Sequence, residues 1–188
     1  MDALLIALLG CLLGEMGDKS QLLVLALATR YDRNGAVIAG IIVAATANAA
    51  ISAFAGAWIG PMLGADARLL FMALSILFLG AGLFWRVGKP DPLEGWRTGA
   101  FLTTALGLFI LGFGDGPQFL ILGIATRTAD PILAGIGGAI GMIAALVPIA
   151  VARHQLLAVL PLRAIRWAGG VILLVTGAIM ALSATALL

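Results

Sequence analysis

The chain has 188 residues, 62% of them hydrophobic and 11% charged, with a formal net charge of +2 and a mean hydropathy of +1.14. Water-soluble domains carry roughly 25% charged and 45–50% apolar residues, so a soluble enzyme or a nucleic-acid-binding domain does not fit and an all-α integral membrane protein is expected. The lone cysteine, Cys11, can close no intrachain disulfide and reads as a packed thiol.

Crossing a hydrocarbon core of about 30 Å takes around 20 apolar residues, and stretches of that length recur along the chain. Six spans are predicted in chain order: Ala3 to Ala28, Gly35 to Ile59, Leu69 to Val87, Gly99 to Ala125, Pro131 to Val151 and Ile165 to Leu187. Short segments with turn and charge signals separate them, such as Arg30 to Gly35, Gly88 to Pro92 and Thr128 to Pro131. The start Met1-Asp2-Ala3 lacks the basic region of a signal peptide, so the first span is expected to remain in the protein.

The loops after the first, third and fifth spans hold Arg30, Arg33, Arg86, Lys89, Arg97, Arg153, Arg163 and Arg166, against Arg68 and Arg127 in the other two. By the positive-inside rule both termini are expected outside the cytoplasm. Trp58, Trp85, Trp96 and Trp167 fall near predicted span ends, where indoles sit at the headgroups. His154, beside Arg153, reads as an interfacial residue.

The chain repeats itself. Gly17-Asp18-Lys19-Ser20-Gln21-Leu22-Leu23 is matched by Gly114-Asp115-Gly116-Pro117-Gln118-Phe119-Leu120, and both runs end in Ala-Thr-Arg, at Arg30 and Arg127, at a constant offset of 97 (114 minus 17). A shift of 95 then aligns Ala39-Gly40 with Ala134-Gly135, and Arg68 and Gly82 with Arg163 and Gly177. Two repeats of three spans follow, about 1–90 and 91–188, forming a single transporter domain. An odd number of spans inverts the second copy in the membrane, the plan of many secondary transporters, whose substrate sites lie where interrupted helices meet near the midplane.

Glu15, Asp18 and Lys19 fall in the middle of the first span. Each charge placed at the bilayer centre costs about 2.5–3.5 kcal/mol on insertion scales, so a cluster of three points to function. On one continuous helix Glu15, Asp18 and Gln21 share a face, and Lys19 follows Glu15 by four residues and is expected to pair with it. Gly14 and Gly17 leave room for another backbone. The second copy offers Asp115 and Gln118 within Gly114 to Gln118, where Gly116-Pro117 is expected to loosen the helix and free backbone carbonyls. With the halves facing each other, one cavity would gather Glu15, Asp18, Asp115, Gln21, Gln118 and the Ser20 hydroxyl, hard oxygen donors that suit Mg2+, Ca2+ or Mn2+. The same charges would also serve as a neutralising network, and Gln21 and Gln118 equally as interhelical hydrogen-bonding groups. Thr46, Asn48 and Ser52 read as such groups rather than ligands. There is no phosphate-binding Gly-rich loop for ATP-driven pumping and no zinc-type Cys/His spacing, so an enzyme is not expected.

Glu15-Met16-Gly17-Asp18-Lys19-Ser20 resembles the Glu-x-Gly-Asp-Lys/Arg-Thr/Ser signature of the Gdt-type manganese/calcium cation antiporter family, which contains the Golgi transporters of eukaryotes and small bacterial manganese exporters. The resemblance spans essentially the whole chain and implies two antiparallel three-helix halves, each with the signature. It implies export of Mn2+ or Ca2+ as substrate, against protons or another cation, with Glu15, Asp18 and Asp115 as ligands and Lys19 as charge compensation. No prosthetic group is implied, and the compact chain suggests a bacterial inner membrane, with lipids as surroundings. The second signature is degenerate: Gly112, Gly116 and Pro117 stand for its Glu, basic and hydroxyl residues. Three acids with Lys19 sum to minus two, the balance of the doubled motif, which expects an asymmetric site of unchanged charge. Export of a small organic cation or amino acid, and a non-transporting membrane subunit, are the competing readings.

Overall fold

The computed structural model describes all residues except 86, 87, 129, 154, 156–160 and 186–188. Among the described residues the chain forms helices throughout: α1 (Asp2–Glu15), α2 (Lys19–Tyr31), α3 (Asn34–Ile59), a 3-10 turn (Gly60–Met62), α4 (Ala65–Gly82), α5 (Gly99–Gly112), α6 (Gly116–Arg127), α7 (Pro131–Ala152) and α8 (Leu162–Ala184). Four of them, α3, α4, α7 and α8, are long and apolar enough to cross a membrane. A fifth span results if α5 and α6, bent by 67° at their junction, count as one. The α1–α2 pair, interrupted by Glu15, Asp18 and Lys19, is not among them.

Two expected continuous spans are thus broken, and the reason is local. Gly17 and Gly114 adopt φ of +69° and +77°, the left-handed region that a side chain at Cβ resists. Each follows a residue turned out of the helix, Met16 at φ −65° and ψ 119° and Phe113 at φ −68° and ψ 120°. The second break therefore lies ahead of Gly116-Pro117. These two residues open α6 instead of loosening a helix interior, which suits proline, whose missing N–H has no partner in a first turn. Backbone N–H groups close both breaks alike: Met16 onto Leu13 and Asp18 onto Glu15 in one, Phe113 onto Ile110 and Asp115 onto Gly112 in the other.

Each broken pair runs alongside an unbroken helix. α7 follows α1 in the same direction, with Gly137 at Leu4 and Gly141 at Leu8, and continues to α2, where Gln21 reaches Ala145. In the same way α3 follows α5, with Gly40 at Phe101 and Thr104, and continues along α6, with Gly56 at Leu122. Small residues make these approaches possible where lipid offers no hydrophobic drive. α4 runs antiparallel to α8, Gly80 meeting Leu173 and Gly177 meeting Leu77. The exterior is a continuous apolar surface, with Leu5, Phe54, Phe78, Ile136 and Ile172 all exposed.

Three connections meet on one face. Arg30 donates to the carbonyls of Leu93, Glu94 and Trp96, and Arg153 pairs with Asp32 and Asn34. Trp58, Trp85 and Trp167 are exposed near helix ends. His154 and Arg86 lie outside the described residues, as do the final residues of the third and sixth predicted spans.

Candidate functional site

The two breaks place Asp18 and Asp115 as the residues immediately before α2 and α6. There the first unpaired N–H groups of a helix favour a negative charge. Asp115 Oδ1 accepts from the Gly116 N–H at 2.8 Å. Glu15 ends α1 and is 5% exposed. The amides one turn on act alike: Gln21 Oε1 accepts from the Gly17 N–H at 2.9 Å, and Gln118 Oε1 from the Gly114 N–H at 2.8 Å. Each holds its glycine in the turned conformation, again at an offset of 97. Gln21 also donates Nε2 to the Ala145 carbonyl at 2.9 Å, so this expected oxygen donor spends both ends of its amide on the protein.

The expected Lys19–Glu15 pair does not form. With the helix broken between them the two no longer stand one turn apart, and Lys19 Nζ instead reaches Asp115 Oδ2 at 3.4 Å, tying the second break to the first. The Lys19 side chain is partly exposed.

The sequence counted Arg166 with the basic residues of the loop before the sixth span, at whose start it also falls. It lies within α8 and is 8% exposed. Its Nε donates to the Leu83 carbonyl, Nη1 to Met16, and Nη2 to Gly82 and Trp85, at 3.2–3.3 Å. Nη1 is also 3.9 Å from Asp18 Oδ1. Three of these carbonyls, those of Gly82, Leu83 and Trp85, lie at the end of α4 and just beyond it, and the fourth belongs to the first break. With Arg166 counted, three carboxylates face two cations, and the formal sum becomes minus one instead of minus two.

Two cavities divide the acids between them. A chamber of about 20 Å³ is lined by Glu15, Ser20, Asn48, Gly112, Asp115 and Gln118, among others. A second, of about 120 Å³, has Asp18, Asp115, Gly116 and Arg166 on its wall. Asp115 borders both. Beyond lies a larger cavity of about 670 Å³ along Gly17, Trp85, Leu162, Arg163, Arg166 and Trp167. Among the described residues no three Asp, Glu, His or Cys side chains converge closely enough to hold a metal ion unaided.

Three buried side-chain atoms have no hydrogen-bond partner among the described residues: Glu15 Oε2, Asn48 Oδ1 and Gln118 Nε2. All three belong to residues of the 20 Å³ chamber. Asn48 was expected only as an interhelical bonding group. The sequence signal that could have singled it out is its place on the span packed beside the second break, which only the fold reveals.

A family model described as divalent cation/proton antiporter GDT1 matches residues 3–91 and 100–187. The "Putative manganese exporter" of Vibrio cholerae serotype O1 (strain ATCC 39541 / Classical Ogawa 395 / O395) is 30% identical over 154 residues, which cover 79% of this chain and 75% of that protein. No solved structure matches the chain.

Proposed function

The chain belongs to the divalent cation/proton antiporter GDT1 family of membrane transporters, and on that premise we propose that it exports Mn2+, with Ca2+ as second choice, against protons or another cation. One observation carries the reading: every orphaned buried side-chain atom among the described residues lies on the chamber between the two breaks. A buried polar group left unpaired costs about 1–3 kcal/mol, and a cation would satisfy the two oxygens among them, Glu15 Oε2 and Asn48 Oδ1, while the Gln118 Nε2 donor would need another partner. A water-sized guest needs roughly 10–15 Å³ of such space, and 20 Å³ admits an ion but no organic solute. Hard oxygen donors favour Mn2+ and Ca2+ over softer metals, and Mg2+ gives up its water reluctantly.

Glu15 and Asp115 supply the charge in the chamber, with Ser20 and Gln118 on its wall and Asp18 next to Asp115 in the adjoining cavity. Gln21, Gly17 and Gly114 keep the breaks in shape. Lys19 pairs with Asp115, and Arg166 stands by Asp18. An arriving divalent cation competes with these tethered cations for the same oxygens and displaces any protons held there, and reprotonation after release resets the site.

Counting α1–α2 and α5–α6 as one span each gives six spans in two inverted three-helix repeats, about 1–90 and 91–188, within one transporter domain. The matching backbone of the breaks supports this plan, as does the reciprocal arrangement in which each broken pair leans on the unbroken helix of the other half. The positive face, where Arg30 and Arg153 fasten the connections, is cytoplasmic on this reading, and both termini lie outside a bacterial inner membrane. The 670 Å³ cavity, at the ends of α4 and α8 that lead into those connections, then admits the ion from the cytoplasm.

The test is Mn2+ uptake into proteoliposomes of the purified chain under an imposed pH gradient, with Ca2+ as competitor and Asp115→Asn beside it. Gradient-dependent flux that disappears in the variant is the expected result. Sealed, correctly inserted vesicles that carry neither metal would refute it.

A further inference from the structure

The repeat offset of 97 pairs Glu15 with Gly112 (15 plus 97), so the second break has no carboxylate where the first has one. The place is not empty. A Cβ built on Gly112 would lie 2.9 Å from Asn48 Nδ2, because α3 runs beside α5 and brings Asn48 level with this glycine. A side chain at 112 and the amide of Asn48 are therefore alternatives for one volume.

Asn48 is 4% exposed. Its Nδ2 faces the Phe109 carbonyl at 3.5 Å, which fixes the sense of the amide, since turning it over would set two oxygens against each other. Its Oδ1 is then left without a partner beside the chamber that Glu15 and Asp115 also line. An amide serving only to join helices would have both ends bonded, given the cost of an orphaned acceptor. We propose that Asn48 is a cation ligand, supplying from α3 a neutral oxygen on the chamber whose second-repeat glutamate is missing, while its Nδ2 takes the space beside Gly112. This rests on the chamber being the cation site, and it makes Asn48 a determinant of affinity. The ion keeps an oxygen on that side and meets one negative charge fewer, which eases release.

The experiment measures Mn2+ flux against Mn2+ concentration, with Ca2+ competition, for the full chain in proteoliposomes. Asn48→Ala is expected to raise KM by roughly tenfold or more, since even outer partners of metal ligands are worth about 10–100-fold in affinity. Asn48→Asp, which keeps the oxygen, should hold KM at or below the wild-type value. Asn48→Ala with Gly112→Glu should recover a low KM by returning a carboxylate to the vacated volume. A role confined to packing predicts less folded protein but wild-type KM in what remains, and that result for Asn48→Ala overturns the proposal. So does an Asn48→Asp variant with the KM of Asn48→Ala. If Asn48→Ala does not fold, the isosteric pair Asn48→Thr and Asn48→Val decides: a lower KM for Thr supports the ligand, equal values refute it. Wild-type protein that carries neither Mn2+ nor Ca2+ would instead refute the transport function, and is established before any variant.

Discussion

At the first break the chain carries Glu15, Asp18 and Lys19 and draws Arg166 in beside them, whereas the second has Asp115 among glycines and a proline. Their backbones nevertheless agree closely: Asp18 sits at φ −88° and ψ 172°, Asp115 at φ −86° and ψ 166°. What the pair have in common is glycine, aspartate and a glutamine three residues on, and these three suffice for the turn. The charged residues are additions to a frame that stands without them. A repeat can thus lack a carboxylate and a cation at one break while a neighbouring helix brings a polar group to the gap, as α3 does here.

The sharpest way to break the comparison is through the acids. Asp18→Asn and Asp115→Asn should each reduce Mn2+ flux in proteoliposomes to background, the second also abolishing the Lys19 contact. Full flux in either folded variant would remove that acid from the site. Next come the two cations. Arg166→Gln takes the guanidinium from four carbonyls and Asp18, and should lower stability by about 1.5–3 kcal/mol, the range of hydrogen bonds to charged groups. Lys19→Gln, at a half-exposed pair, should cost under about 1 kcal/mol. Thermal unfolding in detergent reads both, and equal losses would mean that the two cations are equivalent fasteners.

The glycines sharpen it further. Alanine in the left-handed region costs about 1–2 kcal/mol, which is the whole expected effect of Gly114→Ala, since nothing lies within 4 Å of the added methyl. At Gly17 the same methyl meets Arg166 Cδ at 2.9 Å, so Gly17→Ala should unfold at a lower temperature than Gly114→Ala. The smallest difference concerns the amides. Gln21→Ala loses two hydrogen bonds and Gln118→Ala one, a gap of about 1 kcal/mol in the same unfolding measurement. Gln118→Ala also removes a chamber residue, so its Mn2+ KM should rise while that of Gln21→Ala stays near wild type.

Helix identity was legible because composition and hydrophobic length speak directly, and the likeness of the two breaks because Gly17, Asp18 and Gln21 recur as Gly114, Asp115 and Gln118 at one offset. The three acids stood out because charge in a hydrocarbon layer is costly wherever it falls. What could not be read was where the helices stop. Periodicity carried Lys19 toward Glu15, but the positive φ of Gly17 turns the chain and hands Lys19 to Asp115. Arg166 was hidden for another reason. A basic residue near a span end reads as a loop residue until a second helix is seen to end beside it and offer carbonyls. Asn48 needed the register between α3 and α5, a relation between segments distant in sequence that one sequence does not display.

The seam between α1, α6 and α7 holds the lone thiol of the chain. Cys11 is wholly enclosed, its Sγ 3.7 Å from the Pro117 carbonyl, and a methyl added at Gly138 would come within 3.5 Å of it. A thiol-selective reagent offered to the native protein has one target, Cys11, and it reaches that target only when this seam opens. On the proposed transport cycle its rate of capture would serve as a clock for that opening without any engineered label, and bound Mn2+ would be expected to slow it.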